Sequence, residues 1–272
     1  MPEIAEVRVV AKTLKKNLLN KKIKSIEILY PKMIDSNIDE FTKILTNNTF
    51  KNITTYGKWL IFDFGEYSML SHLRMEGKYF YEKTTSEIEK HTHIIFHLDD
   101  GYDLRYNDTR KFGKMSLVKT KEVFNNNSIK KLGLEPDDKA LNEEYLLNKL
   151  STIKKPIKDA LLDQSIINGL GNIYANEVLF LSRINPLKPS NKITKEEAKR
   201  IIKNSKEVIL ESEKLGGCTI RSYTSSLGVI GHYQDKLKVH MKEKEQCQNC
   251  NEIIKKIKIN GRSTYYCPKC QR

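Results

Sequence analysis

Four cysteines near the C-terminal end constrain this chain more than any other feature. They fall as Cys247-x2-Cys250-x16-Cys267-x2-Cys270, two CxxC pairs at the spacing of a structural zinc site. Each pair offers two thiolates at one knuckle, and a hairpin between the pairs closes a tetrahedron around one Zn2+. The intervening residues supply that hairpin: an apolar and basic run Ile253–Ile259, an Asn260-Gly261 turn, then Ser263–Tyr266. Asn-Gly between such runs is a strong hairpin signal. Four protein thiolates leave no open coordination position, so the ion is expected to hold structure and not to catalyse. Disulfides are disfavoured in a reducing compartment, and a redox CxxC needs no second pair. Cys218 is left over and reads as an ordinary small residue.

A zinc hairpin of this size cannot account for 272 residues; at about 150 residues per domain, two domains are expected. The apolar fraction of 39% and charged fraction of 30% suit a folded chain. No run approaches the roughly 18 uninterrupted apolar residues of a membrane span. Glu3 and Glu6 stand where a secretion signal carries basic residues, so a cytoplasmic protein is expected. The formal net charge of +14 attracts polyanions such as nucleic acid or an anionic membrane. A lysine-heavy proteome would raise the charge in the same way, so charge alone does not decide.

The chain divides into four stretches. Residues 1–119 form a helix and a β-sandwich or barrel-like domain. In the opening helix Ile4, Val7, Ala11, Leu14 and Leu18 recur at helical steps. Pro2 suits the first helical position and Glu3 and Glu6 the positive end of the helix dipole. From Lys22 to Lys119 the pattern reads as strands, including Ile23–Tyr30, Trp59–Phe64, Tyr79–Glu82 and His93–Leu98. They are separated by turns at Gly57, Gly77 and Gly101. Residues 120–138 read as a linker. Residues 139–234 are helical, with periodic segments at Glu143–Leu150, Ile157–Asp163, Ile173–Leu181 and Thr194–Leu215. Residues 235–272 hold the zinc β-hairpin. The fold class is α+β multidomain.

The turn Asn168-Gly169-Leu170-Gly171-Asn172 joins two of these helices. Its glycines permit unusual backbone, and Asn172 suits a helix N-cap. Amides exposed at such a helix start favour a phosphate, although many helix turns look alike. Taken with other segments in order, the turn resembles one family, formamidopyrimidine-DNA glycosylase. Met1-Pro2-Glu3 with Glu6 is similar to that family's opening. Ser71-His72-Leu73-Arg74-Met75-Glu76-Gly77-Lys78 resembles its intercalation loop. Arg105-Tyr106-Asn107-Asp108 leading to Arg110-Lys111-Phe112-Gly113 resembles its second void-filling segment. Asn168–Tyr174 with Glu177 resembles its helix–two-turn–helix, and the cysteine hairpin with Arg262 closes the set.

The resemblance implies a bifunctional DNA glycosylase/AP lyase of base excision repair. Such an enzyme removes 8-oxoguanine and formamidopyrimidines from duplex DNA and then cuts the abasic strand by β,δ-elimination. It implies that Pro2, freed by loss of Met1, is the amine nucleophile, and that Glu3 moves protons at the sugar. Lys58 corresponds to the hairpin lysine of the first elimination, and Arg262 to the arginine that assists the second. Met75, Arg110 and Phe112 correspond to residues that fill the hole left by an everted base; without the resemblance, Met75 and Phe112 read as core packing. His72, His91, Lys154, Lys158, Asn172 and Arg262 are candidate phosphate contacts. His91 and His93, two apart in a strand, make a weak metal pair. Residues 219–233, with Gly228 and Gly231, correspond to a loop that covers the lesion.

Further expectations are one structural Zn2+, damaged double-stranded DNA as partner in a cleft between the domains, no membrane, a monomer, and a bacterial cytoplasm with nucleoid association during repair. Departures from the family pattern are Ala5 and Thr109 in place of proline, Lys111 in place of arginine, and Met241 and Asn251 in place of glycines. The rivals are an endonuclease VIII-type enzyme for oxidised pyrimidines, a non-catalytic DNA-binding protein and an RNA-binding zinc ribbon. The wedge residues disfavour the first. Pro2, Glu3 and Lys58 together disfavour the second. The β-rich first domain disfavours the third.

Overall fold

A computed structural model describes residues 1–218 and 231–272. They belong to two compact units: residues 1–130 with the described part of 216–231, and residues 131–215 with 232–272. Helix α1, Ile4–Leu18, opens the first unit. Its apolar residues Ile4, Val7, Val10, Ala11, Leu14 and Leu18 are buried, as the helical recurrence requires.

Eight strands follow: β1 Ile23–Ile28, β2 Asn52–Tyr56, β3 Trp59–Asp63, β4 Tyr67–His72, β5 Lys78–Lys83, β6 Thr92–Leu98, β7 Tyr102–Asn107 and β8 Lys114–Lys119. They make two four-stranded antiparallel sheets, ordered β1-β6-β7-β5 and β2-β3-β4-β8. Phe62, Met69, Tyr79, Phe96, Leu104 and Met115 from both sheets share one core with α1. The first unit is thus a β-sandwich carrying an N-terminal helix.

Two segments depart from the strand reading of 22–119. Pro31–Met33 is a short 3-10 helix. Ile38–Leu45 is a helix, α2, whose N-cap Asn37 accepts the Glu40 amide at 2.9 Å. It buries Phe41 and Leu45 against the sandwich core. Beyond the sandwich, Thr120–Asn125 forms a short 3-10 helix and Val123 and Ile129 are buried.

The second unit contains α3 Glu143–Leu150, α4 Ile157–Leu161, α5 Asn172–Leu181 and α6 Lys195–Lys214, then the hairpin strands β9 Lys255–Ile259 and β10 Arg262–Tyr266. Helix α6 starts in a reciprocal capping box between Thr194 and Glu197. Helix α5 is buried over most of its surface. Its Glu177, 1% exposed, accepts the amides of Lys238, Val239 and His240 at 2.7, 3.0 and 2.8 Å. One buried carboxylate therefore fixes the chain entering the zinc module against α5. Phe180 of α5 shares a small core with Val239, Ile254, Tyr265, Cys247 and Cys267.

Candidate active site

The start of α1 gathers charge that a sandwich core would otherwise exclude. Pro2 is buried, and Glu3, Glu6 and Lys58 are 3%, 6% and 6% exposed. Glu3 is the N-cap of α1, and Glu6 sits three residues on, at capping-box spacing. Glu6 Oε2 accepts the Glu3 amide at 2.8 Å, and Oε1 accepts the Cys218 amide at 2.8 Å. Gly217 sits at φ +83°, and a Cβ there would press to 3.1 Å on Cγ and Oε1 of Glu6. Glu6 is thus a brace for the helix start, a role that its spacing from Glu3 signals in the sequence.

Lys58 follows Gly57, whose φ of 56° makes the turn between β2 and β3. The α-amine at Met1 lies in the field of Glu3, Glu6, Lys58 and Glu76. Burial holds that amine below its ordinary pKa of 8.0, helped by the Lys58 charge and opposed by the carboxylates. A lowered amine pKa enlarges the neutral, nucleophilic fraction near pH 7. An amine, a neighbouring carboxylate and a buried ammonium together can attack an electrophilic carbon and shuttle protons around it.

Two loops of the same unit carry the expected void-filling residues. His72 ends β4; its Nδ1 accepts the Arg74 amide at 3.0 Å, and its ring stands edge-on to Trp59 at 4.8 Å. Burial, with Arg74 and Lys58 nearby, pushes the imidazole pKa down to about 3, so the ring is neutral at pH 7. Met75 follows in the same loop and is half-buried. In the other loop Arg110 is exposed and Phe112 is 50% exposed. The Arg110 guanidinium lies over the Phe112 ring at 4.9 Å. The fully buried Asp108 ties this loop down. Its carboxylate accepts the amides of Arg110, Phe112 and Gly113 at 3.0, 2.9 and 2.8 Å. Asp108 has no role in the sequence reading, although an aspartate bonding an amide two residues on is a known turn signal. The buried Tyr106 hydroxyl lies under both loops: a Cβ at Gly77 or Gly113 would meet it at 2.1 or 1.7 Å.

His91 is half-buried, and its carbonyl accepts the Asp108 amide at 3.0 Å. His93 is buried, and its Nε2 meets the Asp108 carbonyl at 2.9 Å. The two histidines do not join a metal-holding cluster among the described residues.

In the second unit the four cysteine sulfurs lie within 4.8 Å of one another. Sγ–Sγ separations of 3.4 to 3.9 Å bracket the roughly 3.8 Å edge of a tetrahedron with zinc–sulfur bonds near 2.3 Å. The donor set fits one structural Zn2+, held by Cys247, Cys250, Cys267 and Cys270. Met241 and Asn251, the departures at glycine positions, have φ of 62° and 60°, the left-handed backbone that glycine adopts without strain.

Arg262 opens β10 and is exposed, as is Lys154. Lys158 is expected at a phosphate, but it is fully buried. Its Nζ donates to the Ser263 carbonyl at 2.9 Å and to Thr264 Oγ1 at 2.8 Å. Asn172, the first residue of α5, donates its side-chain amide to the same carbonyl at 3.0 Å. Both residues therefore brace the strand that carries Arg262. The turn before α5 needs Gly169, whose φ is +94°.

Residues 1–115 match the N-terminal domain of formamidopyrimidine-DNA glycosylase, 132–224 its H2TH domain, and 244–272 the zinc finger found in FPG and IleRS. The chain belongs to the formamidopyrimidine-DNA glycosylase family. The formamidopyrimidine-DNA glycosylase of Ligilactobacillus salivarius is 49% identical over 100% of this chain and 99% of its own. A Lactococcus lactis FPG mutant bound to Fapy-dG-containing DNA superposes with a TM-score of 0.94 at 39% identity, covering 100% of both chains. L. lactis Fpg bound to abasic-site DNA gives 0.93 at 38% identity, covering 99% of both. Residues 219–230, most of the expected lesion-covering loop, lie outside the described residues.

Proposed function

We propose that this protein is a DNA glycosylase and AP lyase of base excision repair, acting on oxidised purines in duplex DNA. The observation that carries the proposal is the set of buried charged groups Glu3, Glu6 and Lys58 whose field falls on the start of the chain, next to the buried Pro2. Membership of the family and the Fapy-dG and abasic DNAs bound by its relatives support the substrate class.

After loss of Met1, the Pro2 nitrogen attacks C1′ of the damaged nucleotide. The C1′–N glycosidic bond breaks and the base leaves with a proton. Glu3 supplies and takes back protons at the sugar ring oxygen. Protonation of the ring oxygen opens the C1′–O4′ bond, the Pro2 nitrogen sheds its proton, and the resulting iminium acidifies the C2′ hydrogen. Its removal expels the 3′ phosphate, with Lys58 as proton donor. A second elimination, assisted by Arg262, expels the 5′ phosphate. Met75, Arg110 and Phe112 fill the space of the everted base, Arg110 reaching the orphaned partner. His72, His91 and Lys154 neighbour phosphates, while Lys158 and Asn172 act on the DNA through the hairpin they brace. Zinc supplies structure when bound and takes no part in bond breaking. The protein works as a monomer in the bacterial cytoplasm.

The proposal is tested by single-turnover excision on duplexes carrying 8-oxoguanine opposite cytosine or an oxidised pyrimidine. Faster release of the purine is expected. Preference for the pyrimidine would assign the chain to the endonuclease VIII-type activity, and release of neither would leave a binding protein.

A further inference from the structure

The zinc-hairpin strand that carries Arg262 is held on both sides. After Arg262, the Ser263 carbonyl takes bonds from Lys158 and Asn172. Before it, the turn residue Asn260 donates its side-chain amide to Oδ2 of Asp159 in α4. Asp159 is 7% exposed, and no step above uses it. Asp159, Asn260 and Arg262 line one recess of about 280 Å3, which they share with Lys155, Leu162 and Asp163. Lys155 and Asp163 pair with each other at 3.3 Å. Among the described residues the far side of the turn is open: a Cβ on Gly261 would meet none of their atoms within 4 Å.

We propose that Asp159 is a positioning residue for Arg262, clipping the Asn260 turn to α4 and so fixing where the guanidinium is presented. The β9–β10 pairing ends at Ile259 and Arg262, so Asn260 and Gly261 lie beyond the ladder, and a displacement near 1 Å can cost roughly 100-fold in a catalytic step. The other carboxylate oxygen, Oδ1, is buried and has no hydrogen-bond partner among the described residues. One oxygen therefore makes the clip, and asparagine can supply it. The inference rests on the reading of Arg262 as the group that assists the second elimination.

The test uses full-length, zinc-loaded protein on an abasic-site duplex and measures the ratio of δ- to β-elimination products. The rate of borohydride-trapped adduct and the zinc content are followed in parallel. Asp159→Ala should lower the ratio roughly 10- to 100-fold with trapping rate and zinc content unchanged. Asp159→Asn should restore the ratio. Asn260→Gly, which keeps the turn backbone, should match Asp159→Ala, and the double variant should be no worse than either single one. Arg262→Ala separates the two readings. If it leaves the ratio unchanged, Arg262 has no part in the elimination and the inference falls with it. If it lowers the ratio while Asp159→Ala does not, the role of Asp159 alone is overturned. Equal loss of trapping and elimination in Asp159→Ala, or failure of Asp159→Asn to restore the ratio, would also overturn it.

Discussion

At the scale of the residue, the site depends on burying groups that prefer water. Glu3 is a helix cap by position and a proton carrier by proposal, and both uses need its carboxylate at the α1 terminus. Glu3→Gln keeps much of the cap but loses the titratable group. Excision should fall by roughly 100- to 10,000-fold, with duplex affinity changed far less, as measured by single-turnover kinetics and equilibrium binding. His72 makes a separate prediction about pH. Its folded pKa of about 3 lies below the ordinary imidazole value of 6.5, so the folded state disfavours its proton. The stability it contributes is complete above pH 6.5 and is lost as pH falls from 6.5 toward about 3. At pH 5 the loss is about 2 kcal/mol. His240, lowered to about 4 by burial and Lys158, acts in the same direction. Urea unfolding at pH 7 and pH 5 should show a drop that His72→Gln reduces by about 2 kcal/mol. An equal drop in the variant and the parent would contradict this account.

At the scale of the element, the loop from Asp108 to Gly113 shows how an exposed wedge is made rigid. Three amides converge on the Asp108 carboxylate, and Gly113 lets the loop close over Tyr106. Asp108→Ala should destabilise the first unit by about 2 to 4 kcal/mol, as expected when buried bonds to a charged acceptor are lost. It should also weaken discrimination by the base opposite the lesion, because Arg110 is then unanchored. Thermal melts and excision opposite each of the four bases check both effects. The elements differ in how far they can be read from sequence. Thr194–Leu215 has six turns of apolar recurrence and matches α6 to within a residue at each end. Helix α2 has two buried residues, Phe41 and Leu45, too few to establish a period among strands. Spacing shows the zinc cysteines. It cannot show that Asp159 meets Asn260 across 101 residues, or that a lysine as ordinary in sequence as Lys158 lies buried beneath the hairpin.

At the scale of the whole molecule, the zinc module and the sandwich have separate cores, and the net charge of +14 favours a polyanionic partner throughout. The core around Cys247 and Cys267 includes Phe180 of α5, so loss of metal should undo the hairpin and the presentation of Arg262. Chelation should release one zinc per chain and abolish the second, δ-elimination while the β-sandwich signal in circular dichroism persists. Retained δ-elimination after complete zinc removal would contradict a structural role. In the proposed chemistry the amine of Pro2 becomes bonded to the sugar of damaged DNA. The most direct test is borohydride reduction of the intact protein on an 8-oxoguanine:cytosine duplex, followed by mass mapping of any covalent band. An adduct on Pro2 is expected in chains that have lost Met1. Met1-free protein that binds this duplex and yields no adduct, or an adduct mapped to a lysine, would contradict this chemistry.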